Sequence, residues 1–403
     1  ALIKGFQQKE SAMSEALHQT TQTIADGQAI LEHGALIGDR EGQLDTATFE
    51  LLRASGGTRL LQAKDLGGFE AHPVDFVNWV MEVAIHQPSA GWVAGVVGVH
   101  PWEISFMDPT LQGEIFGEDP DTWTASPYAP FGQATPVDGG FLLTGDWPYS
   151  TGTDFCDWVI IGGRVVREEP GPPDFRHFVL PRSDYEIVAD SWNVMGLKGT
   201  GSKNVRCVNA FVPEYRTLEQ AKVNEGVYAS ERRPNVPLYG MMFGVMFPAA
   251  IAASTLGIAR CYLNAQREYM STRVSVTGQV AKSDPTYIQA YAVAEADLEA
   301  GESHLKQMLC DLFDHVSRGG SITPEQRLRF RRNQTRASDR VFESLAPLAR
   351  LAGSAGIQEE NGLERRWRDL QASITHICNI PETIYYAWGA QSFGADVPPG
   401  TMY

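Results

Sequence analysis

The spacing of apolar residues changes twice along the chain, from a helical period to a strand period and back. Apolar residues recur at helical spacing over residues 14–31, and the stretch DTATFELLRASGG is typical of a capped helix that ends at glycines. The next segment, PVDFVNWVMEVAIHQPSAGWVAGVVGVHPW, has so few polar residues that it predicts a buried helix. We therefore expect helices from residue 10 to about residue 118.

A β-rich region follows, from residue 123 to about residue 213. Its apolar segments are short and are separated by glycine, proline and aspartate, as in GGFLLTGDW, DWVIIGGRVV, RHFVLPR and NVRCVNAFVP. Short runs of β-branched and aromatic residues with such boundaries are typical of strands joined by turns. This region predicts a compact β-domain.

After about residue 234 the pattern becomes helical again. Asp284 followed by Pro285 is typical of a helix start, and Thr323 with Gln326 forms a T-x-x-Q capping box that begins another helix. The first of these helices carries a core-facing stripe that consists of Leu298, Leu305, Leu309, Leu312 and Val316. Long helices are therefore predicted for this region.

The three regions predict three domains, at residues 1–122, 123–233 and 234–403. The first and last are helical, and the middle one is the β-domain. The arginine-rich stretch RLRFRRNQTR lies on a predicted helix of the last domain, and we expect it to face solvent or another subunit.

Composition excludes several classes of function. The net charge of −16, from 33 basic and 49 acidic residues, opposes binding to nucleic acid, because phosphate groups attract the opposite charge. The 5 cysteines are odd in number and contain no C-x-x-C pair, so we expect reduced thiols in a cytoplasmic protein and no metal site. The sequence lacks an apolar signal core and any run of eighteen apolar residues, so no membrane association is expected.

The stretch WPYSTGTDFCDW places two adjacent hydroxyls, Ser150 and Thr151, between segments that are typical of strands. A polar turn between two strands is the simplest interpretation. The glycines of GLKGTGS, at residues 196–202, do not have the spacing of a dinucleotide fingerprint, and the chain contains neither a G-x-G-x-x-G after a strand nor a Walker loop.

Several blocks, in this order, resemble the acyl-CoA dehydrogenase fold over essentially the whole chain: GGTRLLQAKDLGGF, SPYAPFG, GDWPYSTGTDFCDW, MGLKGTGSKNVRCVNAFVPE and LAGSAGIQ with RRWRDL. The resemblance implies an α+β, mainly α fold with an N-terminal helical domain, a central β-barrel or sandwich domain and a C-terminal four-helix bundle. GWVAGVVGVHPW, SPYAP, WPYSTGTDFCDW and WNVMGLKGTGS are further similar to the oxygenase components of two-component flavin-dependent aromatic hydroxylases. The nearest groups are the 3-hydroxy-9,10-secosteroid hydroxylases and the p-hydroxyphenylacetate 3-hydroxylases.

This resemblance implies a monooxygenase that takes reduced FMN or FAD from a separate NAD(P)H-dependent flavin reductase. Reaction with O2 at C4a of the flavin would give a hydroperoxide that hydroxylates a small aromatic substrate ortho to its phenol group. An acyl-CoA dehydrogenase relative with tightly bound FAD and an N- or S-oxygenase are the alternatives. The dehydrogenases place a catalytic glutamate about where Ile377 stands here, and Glu382 is poorly placed to replace it.

The same resemblance implies three catalytic residues. His376 stands next to the missing glutamate and would exchange a proton with a peroxide oxygen or a phenol. His100 would meet the substrate hydroxyl, with Ser126 on the opposite side of that hydroxyl. The structural alternatives are a helix-packing histidine, a satisfied core histidine and a strand-end cap, respectively.

The cofactor would be held in two places. Trp92, Tyr128, Ala129, Tyr149, Ser150 and Thr151 would surround the flavin ring, with Trp147 as a further wall and the two hydroxyls toward the N5 edge. Arg273, Ser354 and Ala355 would bind the phosphate end, and in this fold such an arginine often serves a neighbouring subunit, which implies a homotetramer. The segment that contains Tyr239, Met246 and Phe247 would form an adaptable apolar wall for the substrate, although such a stripe is usually core.

Overall fold

The computed structural model describes residues 15–167, 171–275, 278 and 280–403, in which helices precede and follow one β-sheet. The predicted helix start near residue 10 lies outside these residues. The first helices are α1 (Glu15–Asp26), α2 (Gln28–Glu41), α3 (Thr46–Ser55), α4 (Pro73–His86), α5 (Pro88–Ile104) and α6 (Pro109–Phe116). Helices are found where the sequence predicted them, but the single buried helix predicted over residues 73–102 is wrong. It is two helices, α4 and α5, because Gln87 is extended and Pro88 begins a new helix.

Helix α5 is buried along its whole length, as its apolar sequence predicts. Its small residues allow close contact between backbones. A Cβ atom on Gly95 would lie 2.3 Å from the Ser254 hydroxyl, so no larger residue fits at that position. Helix α5 therefore packs tightly against α4 and against the helix that contains Ser254.

The middle of the chain forms an eight-stranded sheet. Its strands are β1 (Thr124–Ala125), β2 (Gly132–Val137), β3 (Gly140–Ser150), β4 (Trp158–Val165), β5 (Phe175–Pro181), β6 (Glu186–Val188), β7 (Lys203–Pro213) and β8 (Thr217–Glu219). The strand order is β6-β7-β3-β2-β4-β5-β8, and β1 pairs in parallel with β4. Each of the β-rich segments quoted from the sequence lies in one of these strands, apart from at most one residue at each end.

The sheet curls strongly around its own core. Strands β3 and β5 are three steps apart in the sheet, a separation of about 14 Å if the sheet were flat. The rings of Phe141 in β3 and Phe178 in β5 nevertheless lie only 5.6 Å apart between their centroids. The inward faces of these strands therefore enclose a core.

The chain then returns to helices, with α7 (Gln220–Asn224), α8 (Val227–Arg232), α9 (Phe243–Thr272), α10 (Pro285–Ser317), α11 (Pro324–Leu351), α12 (Leu363–Ser373) and α13 (Pro381–Ser392). Helix α9 packs against α10, α11 and α12, α11 also packs against α10 and α12, and α9 contacts α4 and α5 as well. The side chain of Asp284 caps α10, and Thr323 with Gln326 forms the capping box of α11, so both predicted starts are confirmed. The predicted domain boundaries stay predictions.

Within the described residues, α9 is long and apolar enough to cross a bilayer. Of its most apolar stretch, however, 83% is buried inside the protein. Helices α4, α5, α10, α11 and α12 supply this burial. Helix α9 therefore has the environment of a central core helix.

The segment at residues 196–202 docks the sheet region onto helix α12. The backbone N–H of Leu197 donates to the carboxylate of Asp369, with 2.6 Å between nitrogen and oxygen. Asp369 is only 4% exposed, and this burial raises its pKa to about 6. A buried carboxylate thus fixes the position of the loop between β6 and β7.

We predict that Asp369→Asn stabilises the protein at pH 7 but not at pH 4. A carboxyl group whose pKa is higher in the folded than in the unfolded protein stabilises the folded state when it is protonated. This stabilisation is fully present below the unfolded pKa of about 3.9 and is lost as the pH rises through the folded pKa of about 6. Asparagine keeps the acceptor for Leu197 but carries no charge, so the free energy of unfolding at pH 7 should rise by ~1–3 kcal/mol. Melting temperatures at both pH values check this, and a variant that is less stable at pH 7 would contradict it.

Candidate active site

His100 and Ser126 form a buried hydrogen-bonded pair. Strand β1 runs beside β4, so residues 124–126 cross the end of helix α5. The Nδ1–H of His100 donates to the carbonyl of Thr124, and the Ser126 hydroxyl donates to Nε2 over 2.5 Å. Burial lowers the pKa of His100 to about 4, so its ring is neutral at pH 7. The structure thus brings these two predicted residues together.

A β-bulge shapes the end of strand β3. The register between β3 and β7 shifts between Trp147 and Ser150, and Tyr149 lies in the left-handed region with a φ of 68°. Trp147 is fully buried, and its indole N–H donates to the carbonyl of Gly162. Trp147 is therefore part of the core of the sheet, and its predicted position beside the flavin stays a prediction. Tyr149 is 68% exposed.

The hydroxyls that follow the bulge are buried. Among the described residues, no group bonds the Ser150 hydroxyl. Thr151 Oγ1 lies 2.9 Å from Ser202 Oγ, which in turn lies 2.8 Å from Thr200 Oγ1. A Cβ atom on Gly152 would lie 3.1 Å from the side chain of Val93, so this turn abuts helix α5. Ser150 thus presents an unused hydroxyl beside the helix that carries Trp92.

His376 begins a short helical turn at Ile377–Asn379 and caps it. Its Nδ1 accepts the backbone N–H of Cys378 at 3.1 Å, so the neutral ring carries its proton on Nε2. The ring is half-buried and contacts Trp92 at 5.6 Å and Phe247 at 5.9 Å between centroids. Burial, and then the charge of Arg331, lower the pKa of His376 to about 4. His376 is therefore a neutral Nε2–H donor at pH 7.

Arg331 holds the turn that contains His376. Its guanidinium donates to the carbonyl of Cys378 at 2.9 Å and also bonds the side chain of Gln334. Arg331 is only 2% exposed, although the sequence predicted that its arginine run faces solvent or a subunit. That prediction is wrong for Arg331, because the chain after α12 covers this face of α11.

Aromatic contacts join the two histidine sites. Phe247 contacts His376 on one side and Tyr128 on the other, with 5.3 Å between the Phe247 and Tyr128 centroids. The Tyr128 ring lies 5.9 Å from the His100 ring. The predicted residues Trp92, His376, Phe247, Tyr128 and His100 therefore form one continuous path, with Ser126 at its end.

A second buried polar group adjoins this path and was not predicted. Glu103, at the end of α5, accepts hydrogen bonds of 2.6 Å from the Tyr128 hydroxyl and from Nδ1 of His177. Although burial alone would raise the pKa of Glu103, His177 and Tyr128 lower it, so the carboxylate is ionised. A Cβ atom on Gly162, which faces His177 across the β4–β5 ladder, would lie 2.0 Å from the Tyr128 carbonyl. Glycine at that position allows Tyr128 to lie beside His177.

The predicted phosphate-binding residues also lie together. Arg273 follows α9, and its guanidinium donates to the carbonyl of Leu351 at 3.1 Å. A Cβ atom on Gly353 would lie 3.1 Å from the same guanidinium. Ser354 is exposed and Ala355 half-exposed in the turn that follows. One cation and one exposed turn thus form a surface that can bind an anion.

Other predicted residues lie outside the aromatic path. Tyr239 is buried, and its hydroxyl donates to the carbonyl of Leu61 at 3.3 Å, while Met246 is buried in the core. Ala129 is exposed at the surface. Ile377 is 60% exposed, and Glu382 lies exposed on the first turn of α13. Within the described ranges, no cluster of histidine, cysteine and carboxylate side chains is arranged to hold a metal ion.

Comparison with known proteins matches this geometry to a family. Residues 249–380 match the C-terminal domain model of the acyl-CoA dehydrogenases. The chain is 39% identical to a pigment production hydroxylase from Rhodococcus erythropolis, over 90% of this chain and 93% of that protein. It is 36% identical to the flavin-dependent monooxygenase oxygenase subunit HsaA from Mycobacterium tuberculosis, over 89% and 90% of the two chains.

A solved structure agrees with the sequence relatives. The 3-HSA hydroxylase from Rhodococcus sp. RHA1 superposes with a TM-score of 0.89 at 32% identity and covers 94% of this chain and 98% of its own. The resemblance inferred from the sequence motifs is therefore confirmed, and so is the predicted fold class. The chain is an enzyme and belongs to the family of flavin-dependent monooxygenase oxygenase subunits with the acyl-CoA dehydrogenase fold.

Proposed function

We propose that this enzyme hydroxylates a phenol ortho to its hydroxyl group, with O2 and with reduced FMN or FAD that a separate NAD(P)H-dependent reductase supplies. The observation that carries the proposal is the buried His100–Ser126 pair at the end of the aromatic path. The relatives support it, because they are named hydroxylases or oxygenase subunits, and a subunit so named works with a second component. A substrate that is oxygenated at nitrogen or sulfur needs no partner for a phenol hydroxyl, so the pair favours a phenol as the substrate.

The residues fit a flavin at both of its ends. The unbonded hydroxyl of Ser150 is buried beside α5 and would bond the N5 edge of the ring. Arg273 and the turn at residues 353–355 would bind the phosphate end. When bound, the reduced flavin supplies the oxygen activated from O2. Trp92 and Phe247 would cover the ring and exclude water.

The His100–Ser126 pair would orient the phenol. His100 is neutral at pH 7 and its Nε2 accepts, so the Ser126 hydrogen points toward His100 and the Ser126 lone pairs stay available. A phenol hydroxyl that donates to those lone pairs gains electron density on oxygen and therefore at its ortho carbon. The Thr124 carbonyl fixes the imidazole in the required tautomer.

His376 would act at the oxygen-transferring end. Its Nδ1 is occupied by the Cys378 amide, so the proton that it can donate is on Nε2. The neutral Nε2–H of His376 could donate a hydrogen bond to the oxygen atom that is transferred to the substrate and to the other oxygen atom of O2. The contact between His376 and Trp92 would hold this donor at the covered side of the ring.

We also propose that the protein is a cytoplasmic homotetramer. An NAD(P)H-dependent reductase would supply reduced flavin in that compartment. The four thiols of Cys156, Cys207, Cys261 and Cys378 are free, as suits a reducing environment. A neighbouring subunit would complete the phosphate site near Arg273.

Ser150→Ala should weaken the binding of reduced flavin about tenfold without loss of stability. The Ser150 hydroxyl has no partner among the described residues, so its removal breaks no bond within the protein. The matched control is Thr151→Val, which loses the bond to Ser202 and should lower the free energy of unfolding by ~1 kcal/mol. Anaerobic fluorescence titration and melting temperatures check both variants. A less stable Ser150→Ala variant with unchanged flavin affinity would show that Ser150 is structural.

Ser126→Ala should divert the reaction from product to hydrogen peroxide, with at least about a tenfold fall in product formed per reduced flavin. Without the hydroxyl, the phenol loses its bond to the pair. Ser126→Thr is the control because it keeps a hydroxyl at the same position. The measurement is the ratio of catechol to peroxide after mixing with oxygen. If the alanine and threonine variants gave equal ratios of catechol to peroxide, the pair would not orient the phenol.

His376→Asn should slow product formation about a hundredfold and raise peroxide release. The asparagine oxygen can accept the Cys378 amide as Nδ1 does, so the variant should keep its cap and its melting temperature. His376→Ala should lose the same activity and a further ~1 kcal/mol of stability. If His376→Asn instead couples oxygen to product like the unmodified enzyme, His376 serves only to cap its turn.

A further inference from the structure

His177 has one ring nitrogen without a partner. Its Nδ1 bonds the ionised carboxylate of Glu103 at 2.6 Å, and the ring is only 1% exposed. Among the described residues, no group bonds its Nε2. A buried polar atom without a bond costs free energy, so Nε2 marks a position where a polar group of a ligand would be stabilised.

The surroundings of His177 connect it to the proposed substrate site. Its ring lies 4.8 Å from the ring of Tyr128 and 5.8 Å from that of Phe243. Phe243 stacks on Phe247, which contacts His376, and Tyr128 contacts His100. Tyr128 and Phe243 are themselves half-buried, so this end of the path borders accessible space.

Glu103 fixes the direction of His177. The carboxylate accepts from Tyr128 with one oxygen and from His177 Nδ1 with the other, so the imidazole cannot turn without breaking a bond to a charge. Nε2 then points away from Glu103. Glu103 is a positioning residue in this arrangement, because it acts through His177.

We propose that His177 Nε2 binds a second oxygen substituent of the phenol, distinct from the hydroxyl that Ser126 and His100 hold. A hydroxyl suits this position in either protonation state of His177, since it donates to a neutral Nε2 and accepts from a protonated one. The substrate class is therefore a phenol that carries a further hydroxyl group, rather than a phenol with an alkyl substituent. This inference rests on the proposed function, which supplies the phenol.

The experiment compares two probes of equal size, 4-(2-hydroxyethyl)phenol and 4-propylphenol, by anaerobic calorimetry with the enzyme that holds reduced flavin. The unmodified enzyme should bind the hydroxyethyl probe about tenfold more tightly, as one additional hydrogen bond to a buried partner predicts. His177→Asn keeps an amide near the position of Nδ1, and so keeps the bond to Glu103, but removes Nε2. Its two dissociation constants should agree within about twofold.

His177→Gln is the matched variant, because its amide reaches about the position of Nε2, and it should retain part of the preference. An equal preference in the unmodified enzyme and in His177→Asn would overturn the assignment, and so would the absence of any preference in the unmodified enzyme. Product analysis separates the two proposals. If both phenols are hydroxylated but bound equally, only the role of His177 fails. If neither is bound or hydroxylated, the proposed function fails with it.

Discussion

The structure depends on one constraint: the polar side chains of a fully buried helix must have hydrogen-bond partners. Helix α5 is enclosed on all sides, yet it carries His100 and Glu103. Burial of such groups without partners would cost several kcal/mol, and the sheet region supplies the partners: the Thr124 carbonyl, Ser126, Tyr128 and His177. These bonds hold the sheet against α5 in one register. The geometry of the candidate site thus follows from satisfying the polar groups of α5.

Two of the buried polar groups that have no hydrogen-bond partner among the described residues lie beside the candidate site. Ser150 Oγ lies at the end of the bulged strand, and His177 Nε2 lies beside the aromatic path. Close to them, Thr151 bonds Ser202 and Glu103 bonds two donors. One unbonded group would serve the flavin and the other the substrate. His100 and His376 are both kept neutral by burial, so each offers a hydrogen bond of fixed direction at pH 7.

Sequence reasoning predicted what local patterns determine. The element order, the helix caps at Asp284 and Thr323, and the resemblance that defines the fold were all available from residues close together in the chain. The His100–Ser126 pair depended on the family resemblance. Glu103 and His177 were missed because they are 74 positions apart and meet only after the sheet packs on α5, although a carboxylate in an apolar helix was a usable signal. The burial of Trp147 and Arg331 could not be predicted, because it depends on the curl of the sheet and on the chain after α12.

We propose above that this chain transfers oxygen to a phenol with reduced flavin that is supplied from outside. Isotope labelling tests it most directly. Chemically reduced flavin is bound anaerobically to the purified protein, without any reductase, and then mixed with ¹⁸O2 and 4-(2-hydroxyethyl)phenol for a single turnover. We expect a catechol in which mass spectrometry finds one ¹⁸O atom at the carbon ortho to the original hydroxyl. Unchanged phenol, with all of the reducing equivalents recovered as hydrogen peroxide, would contradict it.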